Sequence, residues 1–200
     1  IDEKGGLIDG DKIIAICALD MKRRGQLAKD AAVVTVMSNM GFFQFCKHNG
    51  IQCKTTKVGD RYVLEHMLKH RYSIGGEQSG HVIFLDDNTT GDGLLSALHL
   101  LQVMVETKKK LSELAQIMEV LPQALVNAKV PNHKKESYME YSEIAEAIGE
   151  LEKKFAGEGR VLIRPSGTEP LVRVMIEGKD MERMEKAAKE LAAFIEKTLQ

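Results

Sequence analysis

Ten residues near the C-terminal end hold the densest chemistry in the chain. Arg164-Pro165-Ser166-Gly167-Thr168-Glu169-Pro170 is followed closely by Arg173. A phosphate monoester calls for this inventory. Successive backbone amides in a tight turn form an anion nest. Ser166 and Thr168 can donate to phosphate oxygens, Gly167 permits the turn, and each fork-shaped guanidinium can bind two oxygens at once. The competing reading is a plain hairpin turn, since Pro, Ser and Gly are turn residues in any case. A second segment, Gly75-Gly76-Glu77-Gln78-Ser79-Gly80-His81, offers two acceptors on Glu77, a donor on Ser79 and either role on His81. A carboxylate beside a hydroxyl matches adjacent sugar hydroxyls. The competing reading is a loop between two strands, with glycines for positive φ. It is not a nucleophile elbow, which needs glycines where Glu77 and His81 stand.

These segments need elements to hold them. Lys4-Gly5-Gly6 predicts a hairpin turn within residues 1–8, and residues 9–24 have helical spacing. Ala31 to Val36 is a continuous apolar, β-branched run, as in a strand buried on both faces. Helices over 39–48 and 60–71 alternate with strands over 51–57 and 81–85. That alternation predicts a three-layer α/β/α domain with a mixed sheet, whose ligand loops follow the strands. Gly59, Asp60 and Arg61 lie in such a loop. The helix over 92–107 is apolar nearly all round and is expected to be sandwiched in a core, with Asp92 as its cap. Residues 111–118 form a short helix. Past residue 120 the pattern changes to strand, helix, strand, strand, helix. The helix over 142–155 has Ser142 as its expected N-cap. This predicts a smaller α+β domain with an open, mainly antiparallel sheet.

Composition excludes several classes. Lys and Arg total 28 against 29 Asp and Glu, a net charge of −1, so nothing in the bulk charge favours nucleic acid. The longest apolar stretch, 94–105, is interrupted by polar residues and falls well short of the roughly 20 residues of a membrane span. Cys17, Cys46 and Cys53 lack disulfide or zinc spacing and read as reduced core thiols of a cytoplasmic protein. No metal site is expected. His66 and His70 have Met67 where a zinc hydrolase has Glu, and an Asp86-based calcium loop would put Ala97 at its bidentate position.

Three segments, in order, resemble one family. Gly-Glu-x-Ser-Gly-His at 76–81, Thr-Thr-Gly-Asp-Gly at 89–93 and Arg-Pro-Ser-Gly-Thr-Glu-Pro at 164–170 are similar to motifs of the α-D-phosphohexomutases. Val58 to Val63, with Thr35 to Asn39 upstream, looks most like the bacterial branch acting on glucosamine phosphates. That family has four domains: one with a phosphorylated serine, one with a magnesium loop, one selecting the sugar and one clamping phosphate. The chain resembles the last two. Residues 1–8 look like a remnant hairpin of the preceding domain, 9–120 like the sugar-binding domain and 121–200 like the phosphate-binding domain. Asp9-Gly10-Asp11-Lys12 is not the magnesium loop, for it lacks the third Asp and the Arg. The resemblance implies that Glu77 and Ser79 bind sugar hydroxyls, with His81 and the loop Gly59, Asp60 and Arg61 beside them. Arg164, Ser166, Gly167, Thr168 and Arg173 would hold the phosphate that is not reacting. No catalytic residue is expected in this fragment, which would be inactive alone. The resemblance further implies magnesium held outside this chain, a sugar bisphosphate as intermediate and activator, and a small phosphosugar as substrate. The missing N-terminal domains would be its partner, and the whole enzyme a homodimer. Two alternatives stand beside this reading: a fragment of a phosphomannomutase or phosphoglucomutase, and a phosphosugar-binding module without catalysis.

Overall fold

Strand β1 (Ala31–Thr35) is buried at every position, as a strand covered on both faces must be. Its alternate side chains feed two separate apolar clusters. Ala32 and Val34 join Ile14, Ala18, Phe42 and Phe45, while Ala31 and Val33 join Val63, Met67 and Ile83. Fully burying each of the larger side chains contributes about 1.5–3 kcal/mol. The two clusters place helices α1 (Gly10–Arg23) and α2 (Met40–His48) on one side of the sheet and α3 (Asp60–His70) on the other.

The computed structural model describes all residues, Ile1–Gln200. It divides into two compact units, Ile1–Val120 and Leu121–Gln200. In the first, β1 is flanked by β2 (Gln52–Thr56) and β3 (Ile74–Gly76), both parallel to it. Strand β4 (Val82–Phe84) closes the sheet antiparallel to β3, giving the order β2-β1-β3-β4. This is the mixed α/β/α architecture. Helix α4 (Gly93–Thr107) follows, with the Asp92 carboxylate accepting from Leu94 N and Leu95 N. Cys17 lies buried beneath, and burial, with a smaller contribution from Asp20, pushes its thiol up to about 12.

Four expectations need correction here. Gly75 and Gly76 are strand residues without positive φ; Gly80 alone in that segment has it, at φ 104°. The glycines are required for another reason. A Cβ on Gly75 would sit 2.6 Å from Met67 Sδ and 2.8 Å from Val33 O. Helix α4 is not sandwiched: Leu94, Leu98, Leu101 and Val105 are 74%, 56%, 51% and 74% exposed. Its uniform apolarity marks a face that nothing in its own unit covers. Residues 1–8 contain the turn, with Gly5 N donating to Asp2 O at 3.1 Å, but no strand pairing. Residues 111–118 split into α5 (Leu111–Leu114) and a 3-10 turn.

The second unit is an antiparallel sheet, β5 (Gln123–Lys129), β7 (Leu171–Gly178), β6 (Gly159–Pro165), with β7 central. Val172, Val174 and Ile176 pack against α6 (Ser142–Phe155) and α7 (Met181–Leu199) through Ile144, Ile148, Met184, Leu191 and Ile195. By the period-2 rule Arg173, Met175 and Glu177 occupy the other face of β7. There the buried Glu177 pairs with Arg160 at 2.6 Å. Ser142 is the first residue of α6 and makes no capping bond; Tyr141 stands at the N-cap position.

Candidate functional site

Three segments hold the residues singled out above: 59–61 and 77–81 in the first unit, and the hairpin 164–173 in the second. In the first unit, residues 77–81 connect β3 to β4. Glu77 N donates to His81 O at 2.9 Å and Gly80 N to Glu77 O at 3.0 Å, closing a tight turn that the positive φ of Gly80 permits. The start of α1 holds this turn from below. Gly10 N donates to Gln78 O at 2.9 Å, and a Cβ on Gly10 would collide with Glu77 O.

The Glu77 carboxylate reaches across to the next loop, where its Oε1 accepts from Gly59 N at 2.8 Å. Gly59 has φ 128°, a conformation side chains resist, so the approach depends on glycine. Asp60 lies beside His81, Oδ2 to Nε2 3.3 Å. Gly91 backs that ring so closely that a Cβ there would stand 2.5 Å from His81 Nε2. The 57–61 and 77–81 segments are therefore joined twice, through Glu77–Gly59 and His81–Asp60. Arg61 behaves differently. It pairs with Glu65 at 2.8 Å on its own helix, which raises its guanidinium pKa, and it is highly exposed.

Glu77, Ser79 and Gly80 line a pocket of about 590 Å³ with Asp9, Thr35, Met37 and Val58. Gly59, Asp60, Arg61 and His81 are not in its wall. Thr35, Met37 and Val58 fall in the segments that carry the family resemblance, although the sequence assigns them no site role of their own. Thr35 ends β1, and Met37 and Val58 lie two residues past β1 and β2, at the strand ends where open α/β sheets bind ligands.

In the second unit, residues 166–170 connect β6 to β7. Ser166 is 2% exposed. Its amide donates to Leu171 O at 2.9 Å, and its Oγ accepts from Glu169 N at 3.2 Å. Ser166 thus builds the turn while its O–H proton stays available. The amides of Gly167 and Thr168, at the exposed tip, make no hydrogen bond in the chain. Arg164 and Arg173 are direct cross-strand neighbours. Burial, and then the Arg173 charge, lowers the Arg164 pKa. Arg173 Nη2 contacts Glu169 Oε2 at 3.0 Å. Lys135 Nζ donates to Glu169 O at 3.3 Å. Like guanidiniums side by side and free amides at one tip form an electropositive turn that an anion would neutralise. The sequence assigns Glu169 no role, although it lies inside the motif; its pairing with Arg173 belongs to the folded hairpin. Lys135 gave no local signal, since it lies far away in sequence.

No group of three or more His, Cys, Asp or Glu side chains is arranged to hold a metal ion. No helix is long and apolar enough to cross a membrane.

Residues 9–121 match the family profile "Phosphoglucomutase/phosphomannomutase, alpha/beta/alpha domain III". Residues 125–194 match "Phosphoglucomutase/phosphomannomutase, C-terminal domain". Phosphoglucosamine mutase of Caldanaerobacter subterraneus subsp. tengcongensis is 60% identical over 199 residues, spanning 100% of this chain and 44% of that protein. The phosphoglucosamine mutase of Clostridium acetobutylicum is 59% identical over 197 residues, 98% of this chain and 44% of its own length. The chain thus spans less than half the length of these relatives. Among solved structures, the N-acetylphosphoglucosamine mutase of Aspergillus fumigatus superposes with a TM-score of 0.81 at 19% identity, over 97% of this chain and 44% of that one. At that identity the likeness is one of fold.

Proposed function

The chain belongs to the phosphoglucomutase/phosphomannomutase family, and from that premise we propose that it is the sugar-selecting and phosphate-clamping part of a phosphoglucosamine mutase. The whole enzyme interconverts glucosamine 6-phosphate and glucosamine 1-phosphate. The observation that carries the proposal is the tip of the β6–β7 turn. Two cross-strand arginines flank two amides without partners, an arrangement that favours a phosphate dianion. The choice of glucosamine among hexoses rests on the 60% identity to phosphoglucosamine mutases along the chain.

Each residue then has a task. Glu77 and Ser79 take the sugar hydroxyls in the first-unit pocket, and Gly59, Asp60 and His81 hold the loop that presents them. Arg61 stands ready at its exposed edge. Arg164, Arg173, the Ser166 and Thr168 hydroxyls and the Gly167 and Thr168 amides hold the phosphate not undergoing transfer. The chemistry belongs to the preceding part of the enzyme. There a phosphoserine passes its phosphoryl group to the free sugar hydroxyl: the serine P–O bond breaks as the sugar P–O bond forms, and the sugar hydroxyl's proton ends on the released serine oxygen. The resulting bisphosphate returns its other phosphate to the serine. Such transfers need positioning and charge neutralisation above all. The residues of this chain supply the positioning, and magnesium belongs with the phosphoserine.

The test is an assay of the whole enzyme beside the isolated chain, following glucosamine 6-phosphate and glucosamine 1-phosphate by phosphorus NMR. The proposal expects magnesium-dependent interconversion by the whole enzyme and none by the chain. Faster turnover of mannose or glucose phosphates would overturn the sugar assignment. No turnover of any hexose phosphate would favour a binding module.

A further inference from the structure

Lys135 is the one residue near the phosphate turn whose burial the reading above leaves unexplained. Lysines are almost never fully buried unless paired, yet Lys135 is only 8% exposed. It has no carboxylate partner. Its one hydrogen bond runs from Nζ to the carbonyl of Glu169, at 3.3 Å. That carbonyl also accepts from Leu171 N at 2.9 Å, which makes it the hinge on which the turn enters β7.

The position of the ammonium is set by the fold. Lys135 opens the 3-10 segment Lys135–Glu140. Three residues on, Tyr138 donates from Oη to Ile163 O at 3.1 Å, one residue before Arg164. Tyr138 also packs against the main core cluster of the unit. One short segment therefore grips both sides of the turn: the β6 side through Tyr138 and the β7 side through Lys135.

The charge balance points the same way. Arg164, Arg173 and Lys135 converge on residues 164–170, and Glu169, paired with Arg173, is the one acid there. A chain with a net charge of −1 has gathered a surplus of positive charge at one turn. Partly buried like charges raise the energy of the empty site and lower it once an anion is bound.

We propose that Lys135 is a positioning residue of the phosphate site. Its ammonium pins the Glu169 carbonyl, so that the turn keeps the Gly167 and Thr168 amides pointing free. It also adds a positive charge from beneath without touching the ligand. This rests on the phosphate-clamp reading of residues 164–173. Its ligand class is a phosphate dianion, carried on a sugar or free in solution.

The experiment is an NMR titration of the 200-residue chain with inorganic phosphate at low and high salt. It compares the unaltered chain with Lys135→Met and Lys135→Arg. The unaltered chain is expected to shift at 166–168, with the Lys135 side-chain Cε signal moving along the same isotherm. Lys135→Met, with the sheet resonances unchanged, is expected to bind about tenfold more weakly and with a shallower salt dependence. Lys135→Arg, which keeps the charge and a donor, is expected to recover most of the affinity. Unchanged affinity and salt dependence in Lys135→Met would overturn the proposal. If Lys135→Met does not fold, a Cε signal that stays still at saturating phosphate would overturn it instead. A response at 166–168 with an indifferent Lys135→Met removes the role of Lys135 alone. No response in the unaltered chain removes the clamp reading and this inference with it.

Discussion

The two candidate loops solve opposite problems. The 77–81 loop is closed upon itself. Its acidic side chain already accepts from Gly59 N, its histidine meets Asp60, and Gly10 and Gly91 leave no room beneath it. The 166–170 turn has its scaffold bonded but its business end open, with free amides at the tip and cations around it. A sugar presents hydroxyls that both donate and accept, so discrimination requires acceptors fixed in place. A phosphate presents only acceptors and charge, so affinity requires donors left free. The contrast teaches that the first loop should contribute selectivity and the second binding energy.

The contrast breaks most readily at Arg164. Arg164→Ala should weaken phosphate and phosphosugar alike by roughly ten- to a hundredfold, the range for losing a charge-assisted hydrogen bond or two. Chemical-shift titration with both ligands measures it. A loss confined to the sugar phosphate would reverse the assigned roles.

Gly91→Ala should push the His81 ring aside at a cost of about 1–3 kcal/mol, as overpacking does. Thermal unfolding should register that loss. Shifts at 77–81 with 164–168 undisturbed should show it is local to the first loop.

A smaller effect is expected from Glu77→Gln. Its amide oxygen can still accept from Gly59 N, so the loop should keep its shape. The preference for a sugar phosphate over inorganic phosphate should fall about fivefold, the worth of one modest hydrogen bond. Equal weakening toward both ligands would count against selectivity residing there.

The smallest effect should come from Glu169→Gln. It releases Arg173 from a half-exposed ion pair of a kind that contributes little. Phosphate affinity should rise by about two- to fourfold, read from the same titration. A fall in affinity would show that Glu169 orients Arg173 rather than competing for it.

Much of this arrangement was legible in the sequence, and the gaps have physical causes. The apolar run of β1 announced a strand buried on both faces, because it is too short for a buried helix and rich in β-branched residues. Strand β3 was invisible for the converse reason. Gly75 and Gly76 carry no strand propensity; the close approach of Met67 and Val33 puts glycine at 75, and that of the His81 carbonyl puts it at 76. Helix α4 shows that apolarity records a need for cover without saying what provides it. Residue types singled out the 164–170 turn, because Arg, Ser, Gly and Thr act through local backbone geometry. The Glu77–Gly59 and Lys135–Glu169 contacts join residues 18 and 34 apart and depend on the folded sheet. Local pattern cannot reveal them.

The most direct test of the central claim is a backbone NMR titration of the chain with glucosamine 6-phosphate, beside glucose 6-phosphate and inorganic phosphate. The account predicts shifts at 164–168 with all three, shifts at 77–81 with the sugar phosphates only, and the tightest binding for the amino sugar. Identical responses to all three ligands, with 77–81 silent throughout, would contradict it.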